Sequence, residues 1–115
     1  MKAEIRVNKK SVVCSSIGFK WRSAHVISNA KHYEKEQLIA VIVVLDDGAK
    51  RLKGLNLDGS ERFDVDAPEG WSLYSLSSHA RSLVSVVCVP EKEGFYWQYG
   101  VQPDSGELTP ICRSY

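Results

Sequence analysis

The sequence predicts an all-β fold built as one small domain. Three observations lead to this prediction: apolar residues alternate with polar ones in several segments, two longer apolar runs are rich in β-branched residues, and glycine-containing turn signals recur between them. A chain of 115 residues with 43% hydrophobic and 25% charged residues has enough apolar surface for one core. These values exclude a disordered chain and leave no room for two independent domains.

The clearest strand signal lies near the C-terminus, in Phe95–Val101. There the side chains of Phe95, Trp97, Tyr99 and Val101 share one face, and that face is wholly apolar. The runs Leu38–Leu45 and Leu83–Val89 lack this alternation, which is typical of central strands covered on both faces. Three further strands are predicted from weaker patterns: Lys50–Leu57, Glu61–Asp66 and Glu107–Ile111.

The segments between these strands are predicted to be turns, except for one segment whose secondary structure the pattern leaves open. Turn signals at positions 46–48, 58–59, 68–70, 93–94 and 103–106 place glycine beside Asp, Glu or Ser, as tight connections between strands require. The polar segment 29–37 has no apolar stripe, so it is either one short helix or a charged loop.

The chain also contains an internal repeat. Trp21–Ser28 is similar to Trp71–Ser77, and each is followed by a polar stretch, an apolar run and two further strands. The repeated unit is about four strands in about 50 residues, which places the two units at about 11–66 and 67–115. This pattern resembles the blades of β-propellers, in which four-stranded sheets are arranged around a channel.

The resemblance implies two blade-like antiparallel four-stranded units, packed as a half-propeller or a small sandwich. Propellers have about four or more blades, and this chain lacks a Gly-His and Trp-Asp signature pair, so it departs from the family in both respects. Two blades leave sheet surfaces that further blades would cover. We therefore expect the chain either to form a homo-oligomer or to pack its two units on each other.

No motif for catalysis or for a cofactor is found. The sequence has no Gly-x-Ser-x-Gly elbow, no glycine-rich phosphate loop and no Cys-His pair at a known spacing. His32, Glu34 and Glu36 form at most a weak divalent-metal motif, and a solvated charged loop explains them better. We predict no catalytic residue, no metal and no cofactor. The three cysteines, Cys14, Cys88 and Cys112, are widely spaced, which is typical of free thiols. We predict that Cys14 and Cys88 have a structural role in apolar strands.

Aromatic residues are the main candidates for ligand contact. Trp97 lies mid-strand among apolar neighbours on its face, so we predict that it belongs to the core. The candidate ligand-binding aromatic residues are Trp71, Tyr74 and Tyr96. His79 and Arg81 lie in a polar loop and join Trp71 in the alternative hypothesis, a small-ligand-binding or hydrolytic enzyme.

The charges are unevenly distributed along the chain. Residues 1–53 hold 11 Lys or Arg and 5 Asp or Glu, a net charge of +6, whereas residues 54–115 hold 4 and 9, a net charge of −5. This asymmetry can guide association with a copy of the chain or with another macromolecule. The basic residues Lys9, Lys10, Lys20, Arg22, Lys50, Arg51 and Lys53 allow weak nucleic-acid binding as a further alternative. A sequence pI near 7.7 makes nucleic acid a less favoured partner than protein.

The sequence therefore favours a non-enzymatic protein that binds a protein partner or itself. By analogy of size and architecture, the expected setting is a bacterial cytoplasm, where an immunity-like or accessory protein occludes its partner. The longest apolar run has eight residues, against the roughly 20 of a membrane helix, so we expect no membrane partner. No apolar stretch follows the charged N-terminus, so we expect no secretory signal.

Overall fold

The computed structural model describes residues 5–114, which form an antiparallel β structure of the all-β class that the sequence predicts. Two 3-10 turns, Ser15–Ile17 and Glu34–Glu36, are the only helical segments in this range, and no helix within it is long and apolar enough to cross a membrane. The strands are β1 (Arg6–Val7), β2 (Ser11–Cys14), β3 (Phe19–Arg22), β4 (Val26–Tyr33), β5 (Leu38–Val44), β6 (Lys50–Asn56), β7 (Glu61–Asp66), β8 (Trp71–His79), β9 (Ser82–Pro90), β10 (Trp97–Val101) and β11 (Leu108–Arg113).

These strands form three sheets, in each of which neighbours in sequence are neighbours in space. The N-terminal sheet contains β1 to β3, the central sheet β4 to β7, and the C-terminal sheet β8 to β11. One buried cluster joins the central and C-terminal sheets, and a second joins the central and N-terminal sheets. The three sheets are therefore stacked, with the central sheet in the middle.

Strand β5 shows why the central sheet is covered on both faces. Leu38 and Ile42 belong to the cluster shared with the C-terminal sheet, whereas Ile39, at an odd position, belongs to the cluster shared with the N-terminal sheet. All three side chains are fully buried. The prediction that Leu38–Leu45 is a doubly covered central strand is confirmed. The run Leu83–Val89 lies in β9, between β8 and β10, but Leu83 is 50% exposed, so the predicted cover of both faces is incomplete because the C-terminal sheet is an outer layer.

The observed architecture has one sheet more than the predicted pair of four-stranded units. The predicted first unit, at about 11–66, contains strands of the N-terminal sheet together with the whole central sheet. The physical reason is that both faces of β5 are apolar, so the second face also needs a cover, which Val12, Cys14 and Phe19 provide. The resemblance to propeller blades stays a prediction.

Two local predictions differ from the structure. Phe95 lies before β10 and is 65% exposed, so it does not share the buried face of Tyr99 and Val101. Segment 29–37 is neither a helix nor a loop throughout, because β4 continues to Tyr33 before the turn Glu34–Glu36. Pairing with β5 explains this extension, since the apolar run of β5 needs a hydrogen-bonding neighbour along its whole length.

Two aromatic side chains join the central sheet to the C-terminal sheet. The Tyr33 hydroxyl lies 2.6 Å from the Ser77 carbonyl oxygen and 3.2 Å from that of Ser85, and it donates toward both. The buried ring of Phe63 fills the space above two glycines: a Cβ at Gly54 would lie 2.6 Å from Phe63 Cδ2, and one at Gly106 would lie 2.8 Å from Cγ. The absence of a side chain at Gly54 and Gly106 therefore leaves room for the Phe63 ring between the sheets.

Candidate binding site

An aromatic recess opens at one end of the C-terminal sheet. Its walls come from the start of β8, the segment before β10, β10 itself and β11, and it encloses about 310 Å³. The cross-strand register puts Trp97 opposite Cys88 and Tyr99 opposite Val86, so both rings extend from the face that carries the core. The recess is the solvent-exposed margin of this core. It is lined by Trp71, Phe95, Trp97, Tyr99 and Pro110.

Ring contacts hold the recess in one shape. Trp71 meets Tyr99 edge to face, with ring centroids 5.7 Å apart and an interplanar angle of 68°. The Arg113 guanidinium lies 4.2 Å from the centroid of the Phe95 ring, a cation–π contact. Trp71 and Trp97 also pack against the core cluster. Three walls are thus supported from behind, whereas Phe95 remains 65% exposed.

Trp71 also lines a second depression, of about 370 Å³, on its other side. This acidic groove carries the carboxylates of Asp66, Glu69 and Glu91 and one ammonium group, that of Lys50. Asp66 is bound by Arg51, with Nη1 2.6 Å from the carboxylate oxygen. Glu69 and Glu91 are exposed and form no ion pair with the part of the chain that the structure describes. The aromatic recess and the acidic groove therefore meet at a single tryptophan.

The other two aromatic candidates form a separate pair. Tyr74 and Tyr96 are in edge-to-face contact, with centroids 5.2 Å apart, and they are 52% and 45% exposed. Tyr74 lies in a β-bulge between Ser75 and the buried Leu73, and its side chain is outside the recess. The structure thus places Trp71 in the recess and brings Tyr74 and Tyr96 together outside it.

The polar candidates do not line the recess. Trp71 and His79 are the two ends of β8, and neither His79 nor Arg81 belongs to the walls of the recess. The structure therefore does not bring Trp71 together with His79 and Arg81, as the enzyme alternative requires.

His79 instead lies beside a cysteine that the sequence analysis did not connect with it. Its Nε2 is 3.5 Å from Cys112 Sγ on β11, although β8 and β11 are the two edges of the sheet. Three strand spacings, about 14 Å, exceed the reach of these two side chains, so the β8–β9 hairpin must bend over the sheet face. The two residues are 33 positions apart, and no sequence signal reports such a bend.

The hydrogen bonds of His79 determine whether it can act as a base toward the Cys112 thiol. The Arg81 backbone N–H donates to His79 Nδ1 over 3.1 Å. A neutral imidazole has one N–H, so that proton then sits on Nε2 and is directed toward Cys112. In this state His79 is a hydrogen-bond donor to the thiol and is not placed to remove its proton.

The other two cysteines are structural, since Cys14 and Cys88 are fully buried. Burial raises the pKa of the Cys88 thiol to about 12, which keeps it protonated and unreactive at neutral pH. Within residues 5–114, no three His, Cys, Asp or Glu side chains are grouped to hold a metal ion. His32, Glu34 and Glu36 line a depression of about 300 Å³ into which Lys31 and Lys35 also project their charges.

In comparisons with known proteins, no family model, curated protein or solved structure matches the chain significantly.

Proposed function

We propose that this protein is a non-enzymatic module that binds an extended segment of a partner protein across the aromatic recess and the acidic groove. The observation that carries the proposal is the position of Trp71, which forms a wall of both depressions. A segment crossing this tryptophan would place neighbouring residues in two chemically different sites. Such a module acts by covering its partner, as immunity and regulatory proteins do.

The recess favours an apolar or proline residue as the anchor. Its volume of about 310 Å³ fits one or two side chains, and its walls are aromatic rings and a proline. Aromatic-lined grooves bind proline-containing extended segments because such segments lose little conformational entropy on binding. Tryptophan and tyrosine are also the residues that contribute most to protein-binding energy.

The acidic groove favours a basic residue next to that anchor. Glu69 and Glu91 lack ion-pair partners among the described residues, so their carboxylates are open to a cation from outside. An exposed pair of this kind contributes mainly to association rate and to the choice of partner. The proposed ligand is therefore an extended segment in which an apolar or proline residue is followed by Lys or Arg.

The test uses peptides and the tryptophan fluorescence of the recess. One peptide carries a Pro-Pro-Leu-Pro core followed by two arginines, a second carries the same core followed by two glutamates, and a third carries a Gly-Ser core followed by two arginines. We expect saturable binding of the first peptide, with both others at least about tenfold weaker because each lacks one contact.

A matched pair of variants locates the binding surface. Phe95→Ala removes an exposed wall of the recess, whereas Leu83→Ala removes a side chain of similar exposure, 50%, from the depression near His32. Phe95→Ala should weaken the first peptide about tenfold, and Leu83→Ala should leave its affinity unchanged. Equal affinity for all three peptides, or equal effects of the two variants, would contradict the proposal.

Another copy of this chain is the competing occupant. Sedimentation at increasing concentration distinguishes it: self-association that Phe95→Ala abolishes and Leu83→Ala preserves would mean that the recess serves a homo-oligomer. A monomer at all concentrations, with the peptide preferences above, supports the heterologous partner.

A further inference from the structure

The N-terminal sheet carries positive charge without any negative charge. Residues 5–25 contain five Lys or Arg and no Asp or Glu, a net charge of +5. Residues 26–114 contain nine Lys or Arg and 13 Asp or Glu, a net charge of −4. The five basic side chains are all exposed. They are Arg6, Lys9, Lys10, Lys20 and Arg22.

Strand register collects these charges on one surface. Arg6 pairs with Val13, and Val13 with Lys20, so these three side chains form a row across the sheet. Arg22 pairs with Ser11 in the adjacent row of the same face. The alternate residues, such as Val12, point inward to the core. The turn between β1 and β2 adds Lys9 and Lys10 at the end of this basic face.

The basic face differs from two basic residues of the central sheet, Arg51 and Lys53, whose charges are paired. Between β6 and β7, Arg51 contacts the carboxylates of Asp64 and Asp66. Lys53 contacts those of Glu61 and Asp64. Within residues 5–114, none of the five side chains of the basic face forms an ion pair. Their charges are therefore left for a partner from outside the chain.

The near-neutral charge of the whole chain does not cancel this local field. Half of the net charge of −4, from three Lys or Arg and five Asp or Glu, lies in residues 67–114, where the C-terminal sheet is two layers away and stacked sheets are about 10 Å apart. That separation of roughly 20 Å exceeds the screening length of about 8 Å at physiological salt. The other half lies in residues 26–66, with six Lys or Arg and eight Asp or Glu, and offsets less than half of the charge of +5 on the basic face. The pI near 7.7 reflects the charges of the whole chain and does not describe the local charge of the basic face.

We propose that the basic face binds the phosphate backbone of duplex nucleic acid, independently of base sequence. A duplex carries one negative charge per about 1.7 Å of its axis, so a row of basic side chains can contact several phosphates at once. A single strand is normally held by bases stacked on aromatic rings, and the rows of this face contain none: Phe19 lies among the buried core side chains and Trp21 packs beside them. The observations therefore favour duplex over single strand.

Fluorescence anisotropy with a labelled mixed-sequence duplex of about two helical turns tests this proposal. Each phosphate contact contributes about 0.9 to the slope of log affinity against log salt, so five contacts give a slope of at most about −4.5. Lys20→Gln with Arg22→Gln should weaken binding about tenfold or more and reduce the slope by about 1.8.

The control is Lys35→Gln with Lys92→Gln, which removes the same charge from exposed positions outside the basic face. It should change affinity less than about threefold. Equal losses for the two double variants would overturn the proposal, because net charge alone would then explain binding. No binding at low salt would also overturn it. So would equal competition by the single strand, polyglutamate or phosphatidylserine vesicles at matched charge, each of which would identify a different anionic partner.

Discussion

The substitution Gly54→Ala tests whether the ring of Phe63 joins the two larger sheets. Gly54 does not have a positive φ, so alanine can adopt its backbone conformation and the cost must come from the ring. The added Cβ would lie 2.6 Å from Phe63 Cδ2, and the ring cannot retreat because Gly106, at a φ of 78°, contacts its other side. Overpacking of this kind costs about 1–3 kcal/mol, and we take the upper end for a ring confined on both sides.

The lower entropy of the unfolded alanine chain offsets about 0.4–1 kcal/mol of that cost. The net expectation is a loss of about 2 kcal/mol in the free energy of unfolding, measured by urea denaturation. Gly94→Ala is the control, since Gly94 is exposed, has no positive φ and has only Pro90 nearby, and it should leave stability unchanged or raise it by up to about 1 kcal/mol through the same entropy effect.

Phe63→Leu in the Gly54→Ala background relieves the collision. The double variant should therefore be more stable than the sum of the two single effects predicts, by about 1 kcal/mol. Strict additivity, or a Gly54→Ala protein as stable as its parent, would refute the reasoning that Phe63 occupies the space above this glycine.

Three further predictions concern buried hydroxyl and thiol groups. Tyr33→Phe removes the donor to two carbonyls but keeps the ring, so urea denaturation should show a loss of about 1–2 kcal/mol; no loss would contradict the bridge between the sheets. Burial raises the pKa of Cys88 from 9.0 to about 12 and also raises the pKa of Tyr33, so the contribution of these two groups to stability should be constant up to about pH 9 and fall as pH rises toward 12. Denaturation midpoints that stay constant up to about pH 11 would exclude this linkage. A thiol reagent should modify the partly exposed Cys112 in the native protein and reach Cys14 and Cys88 only after unfolding, as counted by mass spectrometry.

Hydrophobic pattern was sufficient to locate the strands that form the core. The eight-residue apolar run beginning at Leu38 has no polar face, which by itself requires cover on both sides. Sequence pattern did not identify what provides this cover. Strands β1 and β3 have only two and four residues, too short for a periodicity signal, and their sheet becomes apparent only through its contacts with β5. At Phe95 the sequence pattern predicted too much strand: the alternation of apolar residues begins at Phe95, whereas pairing with β9 begins only at Trp97.

The candidate site was only partly accessible from sequence for a related reason. Trp71 could be proposed as a ligand contact because it follows a turn and starts a strand. Its neighbours Trp97 and Pro110 reach it through the register of β9, β10 and β11, which includes a bulge between Gln98 and Tyr99. The contact of His79 with Cys112 depends on the bend of a hairpin over the sheet. Register shifts and bends move residues between faces without leaving a mark in a single sequence.

The stacked order of the sheets has a consequence for the two proposed surfaces. The basic face is the outer side of the N-terminal sheet, and the aromatic recess and acidic groove lie along the C-terminal sheet and its junction with the central sheet. The central sheet between them is a packed layer, in which the core side chains of β5 are fully buried, and such layers transmit little motion. Binding at one surface should therefore not alter binding at the other.

This independence can be measured with the probes described above. The affinity of the Pro-Pro-Leu-Pro peptide with two arginines is determined with and without a saturating duplex, with the direct binding of this cationic peptide to the duplex measured separately and subtracted, and the two values should agree within about twofold. The double variant of Lys20 and Arg22 should bind the peptide normally, and Phe95→Ala should bind the duplex normally, because each change lies on one surface only. A tenfold change in peptide affinity, about 1.4 kcal/mol of coupling, would show that the central sheet is not a rigid spacer and shifts between two arrangements.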